Sequence, residues 1–283
     1  MHDSWTMRLS GRKQNMEAVK RPCLSDIVEI ANRLFPFDAA EPWDNCGIQI
    51  GDPKCEVTSI AFSLDPTPQT VRFAAAASCE LLVTHHPVAL EPFRNVVADS
   101  LFGRTLLAAA RMGVSIVSLH TNLDAAAGGL NDQLADKLHL TDVTTSESMR
   151  CARVGRLPAA TTVLALARNI AKDLEIPHVR VISEVDAPVR TIFCAAGSGM
   201  SYLGQALRQS VDVLVTGDVR YHSAREALEM GMPVIDAGHF GLEKGAADLL
   251  KTAFETEFSR LDLTISCINC GLEKEPFIEI RNP

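Results

Sequence analysis

The residues best suited to chemistry are histidines and carboxylates that follow short apolar runs. Val83-Thr84-His85-His86-Pro87 puts two imidazoles at the end of one such run. Further on, His120-Thr121-Asn122-Leu123-Asp124 sets an imidazole ahead of a carboxylate, and Gly238-His239-Phe240-Gly241-Leu242-Glu243 repeats that spacing. Side chains so spaced share one face of a helix, so His239 and Glu243 can serve a common ligand. A carboxylate has two oxygens and can bridge cations roughly 3.5 to 4 Å apart, which suits Glu243 to a paired site. Together, His85, His86, Asp124, His239 and Glu243 offer imidazole and carboxylate donors only. That set matches zinc, iron, manganese or nickel better than thiolate-seeking or all-oxygen metals. It is too large for one catalytic ion with open positions and about right for two divalent ions.

Each motif alone also has an ordinary role. His85 and His86 can be one solvated and one turn-bonded histidine, Asp124 a turn or capping residue, and Glu243 a first-turn glutamate favoured by the helix dipole. In a regular strand, neighbouring side chains point to opposite faces, so His85 and His86 can meet one ligand only where the chain leaves the sheet. Pro87 provides that exit, because it favours extended geometry at His86 and cannot continue the ladder. His120, closer to its strand than Asp124, is expected to orient a ligand rather than bind metal.

The elements that must position these residues alternate. A helix is expected from Ser25, as N-cap, to about Phe35, where Pro36 ends it. A β-rich run at 57–64, a helix near 67–78, the short run Leu81-Leu82-Val83, a helix near 100–112 and a strand at 114–119 follow. The second half repeats the theme, with strands near 178–183, 189–195, 212–216 and 233–236. Its helices are expected near 161–172, 201–209, 222–230 and 241–258. Strands separated by helices point to βαβ units and an α/β fold with mainly parallel sheets, whose carboxyl edge is where ligands bind. Residues 1–21 read as a flexible leader and 141–150 as a polar, turn-like stretch.

A faint internal echo joins the halves. Leu82-Val83-Thr84-His85, then Met112-Gly113, then His120 and Asp124 parallel Leu214-Val215-Thr216-Gly217, then Met230-Gly231, then His239 and Glu243. This spacing suggests a duplicated unit.

Composition narrows the function classes. With 283 residues, 47% of them hydrophobic, the chain can bury one large core or two smaller ones. Its formal charge of −8 gives no footprint for nucleic acid. No run approaches the roughly 18 apolar residues that span a bilayer, and no secretory signal is visible, so a cytoplasmic protein is expected. The 8 cysteines are scattered and read as reduced thiols. Cys267 and Cys270 form a C-x-x-C pair without the second pair that a structural zinc site needs.

At the level of motifs the chain resembles the Nif-three-like family, the GTP cyclohydrolase I type 2 homologues or dinuclear-metal-centre hexameric proteins. The likeness runs from about Leu24 onward. It rests on Glu41-Pro42-Trp43-Asp44-Asn45-Cys46-Gly47-Ile48-Gln49-Ile50-Gly51-Asp52, Thr84-His85-His86-Pro87, His120-Thr121-Asn122-Leu123-Asp124 and Gly128-Gly129-Leu130-Asn131-Asp132. Thr216-Gly217-Asp218 with His222, and Gly238-His239 with Glu243, complete it. The resemblance implies a two-lobed α/β subunit with a dinuclear site in the inter-lobe cleft, assembled as a homohexamer. It carries the family's metal ligands onto His85, His86, Asp124, His239 and Glu243. The implied lobes are 22–127 plus 237–283, and 128–236, with no room for the middle domain that longer members insert. Trp43, Asp44 and Asn45 are then expected to line the cleft, and Asp218 and His222 to relay protons or cap a helix. Cys46 stands where the family usually has an aliphatic residue, as an added soft ligand or a buried thiol.

Two function classes follow. One is a metal-dependent hydrolase of the cyclohydrolase type, acting on a nucleotide or phosphoester, with His120 or His222 as general acid or base. The other is a non-catalytic metal-binding protein, a carrier or a regulatory interaction partner, which needs the ligands but no proton relay.

Overall fold

Leu24, Ile27, Ile30 and Ala31 recur at helical spacing and form the buried face of α1 (Leu24–Leu34). The cap is Cys23 rather than the expected Ser25, because the Asp26 carboxylate accepts the Cys23 backbone N–H at 2.8 Å and closes the first turn there. The computed structural model describes residues 21–278 and 280. The expected leader lies outside these residues except for Arg21.

After α1 come β1 (Gly47–Ile50), β2 (Ser59–Ser63), α2 (Pro68–Ala76), β3 (Leu81–Thr84), α3 (Leu101–Met112), β4 (Ser115–Ser118) and the short α4 (Thr121–Ala125). Next are α5 (Leu130–Lys137), β5 (Thr141–Thr144), β6 (Arg153–Thr162), α6 (Val163–Asp173), β7 (Arg180–Ile182), β8 (Pro188–Cys194) and α7 (Leu203–Arg208). The chain ends its regular structure with β9 (Val213–Thr216), α8 (Tyr221–Glu229), β10 (Val234–Asp236), α9 (His239–Glu243), α10 (Ala246–Arg260) and β11 (Ser266–Asn269).

Two sheets flanked by helices result, a mixed α/β architecture. The first has the order β1-β4-β3-β2-β11 and is parallel apart from its edge strand β1. The second has the order β5-β6-β8-β9-β10-β7, and only β8-β9 and β9-β10 pair in parallel. The expectation of mainly parallel sheets therefore fits the first sheet and is corrected to mixed for the second. The reason is the connections: α7 and α8 supply crossovers, whereas β5 and β6 are joined by too short a link for one. Strand β6 escapes sequence reading because it carries Gly155 and Pro158 and does not alternate; its register breaks between Arg156 and Thr161, around the proline. Strand β5, expected to be turn, is an exposed edge.

The sequence echo has a structural counterpart. The paths β3-α3-β4-α4 and β9-α8-β10-α9 each run parallel strand, helix, parallel strand, five-residue helix. Their long helices both end at a left-handed glycine, Gly113 at φ 69° and Gly231 at φ 67°. The helix expected over 241–258 divides at Lys244 and Gly245, and α10 alone packs on the first sheet, with Phe254 and Phe62 rings 5.5 Å apart.

Arg153 ties the segment after α4 to β6. Only 3% exposed, it pairs with Asp132 and donates to the carbonyls of Ala125, Ala126, Arg150 and Ala152. Removing one side of a buried, multiply bonded charge pair costs about 3 to 5 kcal/mol. Arg153→Ala should lower the unfolding free energy measured by denaturant titration by that much, and an unchanged free energy would show that the guanidinium carries no such weight.

Candidate metal centre

Strand β3 is fully buried, and the chain past it keeps pairing with the end of β2 and the residue that follows: His85 N–H donates to Ser63 O at 3.2 Å and His86 N–H to Leu64 O at 3.0 Å. The Thr84 hydroxyl then donates to His86 O at 2.7 Å and bends the backbone ahead of Pro87. The two rings, which a flat strand would separate, sit with centroids 5.0 Å apart. After β4, His120 precedes α4, which carries Asp124. After β10, Gly238 at φ 75° turns the chain so that His239 opens α9 and Glu243 closes it.

Four of these side chains meet at one oxygen. Glu243 Oε2 lies 2.9 Å from His239 Nε2, 3.0 Å from His86 Nε2 and 3.8 Å from His85 Nε2. His85 Nε2 is also 3.8 Å from Asp124 Oδ1. Donor atoms fall into two overlapping groups, His85-His86-His120 and His86-His239-Glu243, each spanning no more than 4.8 Å. His120, expected to orient a ligand or to act as general acid or base, stands among the ring nitrogens themselves, 5.1 Å from the His85 ring and 5.6 Å from that of His86.

Every ring has its Nδ1 engaged by an acceptor. His85 Nδ1 donates to Leu119 O at 3.0 Å, while His86, His120 and His239 donate to Asp65, Asp44 and Asp218, each at 2.8 Å. Such partners fix the tautomer and leave Nε2 as the nitrogen offered to the centre.

These residues fit the binding of divalent metal. His85 Nε2 and Asp124 Oδ1 are buried without a hydrogen-bond partner, and their separation is too long for one. Buried polar atoms are rarely left in that state unless something else satisfies them. His86 Nε2 and His239 Nε2, 3.4 Å apart, both aim at Glu243 Oε2. That is a strained arrangement for two protonated rings and a natural one for lone pairs sharing cations.

The electrostatics agree. Burial alone would raise the Glu243 carboxyl, but hydrogen bonds from His239 and His86 and the nearby His85 ring hold it well below its ordinary range. Burial likewise lowers His86, yet Asp65 and Glu243 carry it up to about 10. His239 is raised to about 9, chiefly by Glu243, against burial. For Asp124, burial is the largest influence and pushes the carboxyl up. Asp44 is held far down by His120 and Thr121 despite burial.

Other expected residues separate into two sets. Asp44 also accepts the Thr121 N–H at 2.9 Å and its hydroxyl, and Trp43, 60% exposed, meets the His120 ring edge-on at 6.2 Å. Asp218 holds His239 from a left-handed backbone, φ 55°. Asn45 instead bonds Gln49 and Ala89 O. His222 is exposed in the first turn of α8 and packs on Tyr221, apart from the cluster. The reason is that Tyr221 begins α8, which carries the next side chain away to solvent. The Cys46 thiol donates to Asp44 and Asn122, each at 3.1 Å, and burial pushes it up to about 12. It is a half-buried thiol and belongs to neither group of candidate metal donors. Cys267 and Cys270 belong to neither donor group.

Sequence reading missed Asp65 and Gly197. Asp65 follows β2 as His85 follows β3, and the same carboxyl-edge logic would have found it. Gly197, at φ 62°, packs so tightly that a Cβ there would come within 2.3 Å of Glu243 Oε1. Nothing in Ala195-Ala196-Gly197-Ser198-Gly199 announces that approach.

The sequence model of the family described as Duf34/NIF3 (NGG1p interacting factor 3) matches residues 22–276. The "GTP cyclohydrolase 1 type 2 homolog" of Clostridium perfringens is 30% identical over 260 residues, covering 90% of this chain and 98% of that protein. The "GTP cyclohydrolase 1 type 2" of Helicobacter pylori is 29% identical over 224 residues, 79% of this chain and 88% of its own. Among solved structures, the Bacillus cereus protein related to NIF3 superimposes with a TM-score of 0.85 at 20% identity, covering 92% of this chain and 100% of that one; it speaks to the fold.

A cation needs unprotonated Nε2 atoms, and without one His86 and His239 titrate at about 10 and about 9. Loading at neutral pH should therefore release protons, and apparent affinity should rise with pH toward those values and fall in acid. Calorimetry in buffers of different ionisation enthalpy measures the release; a heat independent of buffer would contradict it.

Proposed function

The chain belongs to the Duf34/NIF3 family, and on that premise we propose that it is a hydrolase dependent on two divalent metal ions. The observation that supports this reading most is the meeting of three Nε2 atoms at Glu243 Oε2, beside the unsatisfied His85 and Asp124 pair. His85, His86, Asp124, His239 and Glu243 would hold the ions, with zinc, iron, manganese and nickel as candidates. Such ions supply Lewis acidity, acidifying water toward neutral pH and polarising an electrophile.

The chain's own part is orientation and proton handling. Asp65 and Asp218 lock the His86 and His239 rings, and the Leu119 carbonyl locks His85. Asp44, kept ionised, holds Nδ1–H of His120, so that His120 presents Nε2 to the centre as the proton carrier. A carrier or regulatory metal protein would need the ligands and not this Asp44-His120 pair, which is why hydrolysis is the better reading. The substrate we infer is a small nucleotide or phosphoester, in line with the names of the Clostridium and Helicobacter relatives. We further take the chain to act in the cytoplasm as a homohexamer, with no membrane or nucleic-acid partner. All 8 cysteines are free, and no helix among the described residues is long and apolar enough to cross a membrane.

Chain loaded with zinc, iron or manganese should turn over a member of a nucleotide and phosphoester panel, and Asp124→Ala should abolish it. Asp44→Asn should lower kcat about 10²-fold, with metal content retained, as loss of an acid-base partner does. If no metal gives turnover above the Asp124→Ala background while metal stays bound, the carrier reading replaces this one.

A further inference from the structure

The run Gly128-Gly129-Leu130-Asn131-Asp132 lies between the two halves of the metal centre and contributes no donor to either group. Asp132 is accounted for by its pairing with Arg153. Asn131 is not. It stands in the first turn of α5, only 1% exposed, where both ends of its amide need partners. Backbone supplies them all. Nδ2 donates to Asp124 O at 3.2 Å and to Cys151 O at 3.1 Å, and Oδ1 accepts the Ala196 N–H at 2.8 Å. Reversing the amide would set an oxygen against two carbonyls and an NH2 group against an N–H, so one orientation is fixed.

The outer partners belong to different halves of the centre. Asp124 follows β4 of the first sheet, and its Oδ1 faces His85 Nε2. Ala196 follows β8 of the second sheet and precedes Gly197, where a Cβ would strike Glu243 Oε1 and come within 3.5 Å of His239 Cε1. Gly197 O in turn accepts the Gly217 N–H at 2.8 Å, and Gly217 lies against the His239 nitrogen. One side chain therefore joins the backbone of Asp124 to the wall behind Glu243 and His239. Gly129 permits the short reach, since a Cβ there would run into the Leu123 carbonyl and hold α5 off α4. An aspartate in place of Asn131 would lack the donors, and a leucine would leave two carbonyls and an N–H buried and unsatisfied.

We propose that Asn131 is the positioning residue that sets the spacing between the two halves of the metal centre. The inference goes beyond the ligand set, and it rests on the metal-pair reading above for what the two halves hold. Groups that fix a ligand from behind govern metal affinity nearly as strongly as the ligands themselves.

The test compares native full chain with Asn131→Asp, which keeps the shape and loses the donors, and with Asn131→Ala. Phe254→Ala, in the core of the first sheet, controls for lost stability. Equilibrium dialysis should show manganese affinity lowered about tenfold to a hundredfold in both Asn131 variants and native in the control. Electron paramagnetic resonance should show a spin-coupled manganese pair in native chain and control, and a lost or altered coupling in the Asn131 variants. Native affinity with an unchanged coupled signal in a folded Asn131→Asp chain overturns the proposal. A further measurement needs no variant: manganese should slow hydrogen exchange of the native Ala196 amide about tenfold or more, because opening that bond parts the two halves. Slowing no greater than at the amides of β11 overturns the proposal even where no Asn131 variant folds. The two readings fail separately. One ion in native chain, weakened by Asn131→Asp, removes the pair and leaves the joint; two coupled ions in native and variant alike do the reverse. A native chain that binds no manganese removes both.

Discussion

A single buried carboxylate oxygen, Glu243 Oε2, sits within hydrogen-bonding distance of two imidazole nitrogens and close to a third. Glu243 is only 3% exposed, so its charge must be balanced locally or not at all. That requirement organises the surroundings. The rings must stay where they are, which is why each has its far nitrogen bound by a carbonyl or a carboxylate. The backbone must also leave room, which is why Gly197 stands against the glutamate. His85 Nε2 and Asp124 Oδ1, still unsatisfied, give the cluster more donor capacity than protons can use.

The fold supplies this arrangement by bringing strand ends together. His85, His86 and Asp124 follow β3 and β4 of one sheet, while Asp218, His239 and Glu243 follow β9 and β10 of the other. Both sets come from the same unit, a parallel βαβ path that ends in a five-residue helix with a carboxylate four residues after a histidine. The two units are not equivalent in detail. The first offers paired histidines at the end of β3, where the second has Thr216 and Gly217. Gly217 is needed there, since a Cβ at that position would lie 2.7 Å from the His239 nitrogen.

Much of this was legible in the chain because it depends on local chemistry. Short apolar runs that end in His, Asp or Glu identify carboxyl edges, and Pro87 signals the departure that lets adjacent rings converge. The βαβ rhythm was equally visible. What stayed hidden has no local signature. Strand β6 contains a glycine and a proline, β5 is exposed on every residue, and both exist because of the neighbours they pair with. Asp65 and Gly197 matter through tertiary approach alone. His222, named for its spacing after Asp218, stands exposed in the first turn of α8 and outside the cluster.

The claim that underlies the account is that Glu243 is the shared point of a cation pair. Anomalous diffraction at the metal edge from crystals of zinc- or manganese-loaded protein measures it directly. The account predicts two peaks about 3.5 to 4 Å apart flanking the Glu243 carboxylate, one toward His85 and Asp124 and the other toward His239. Peaks away from this oxygen, or one ion bound without Glu243, would contradict it.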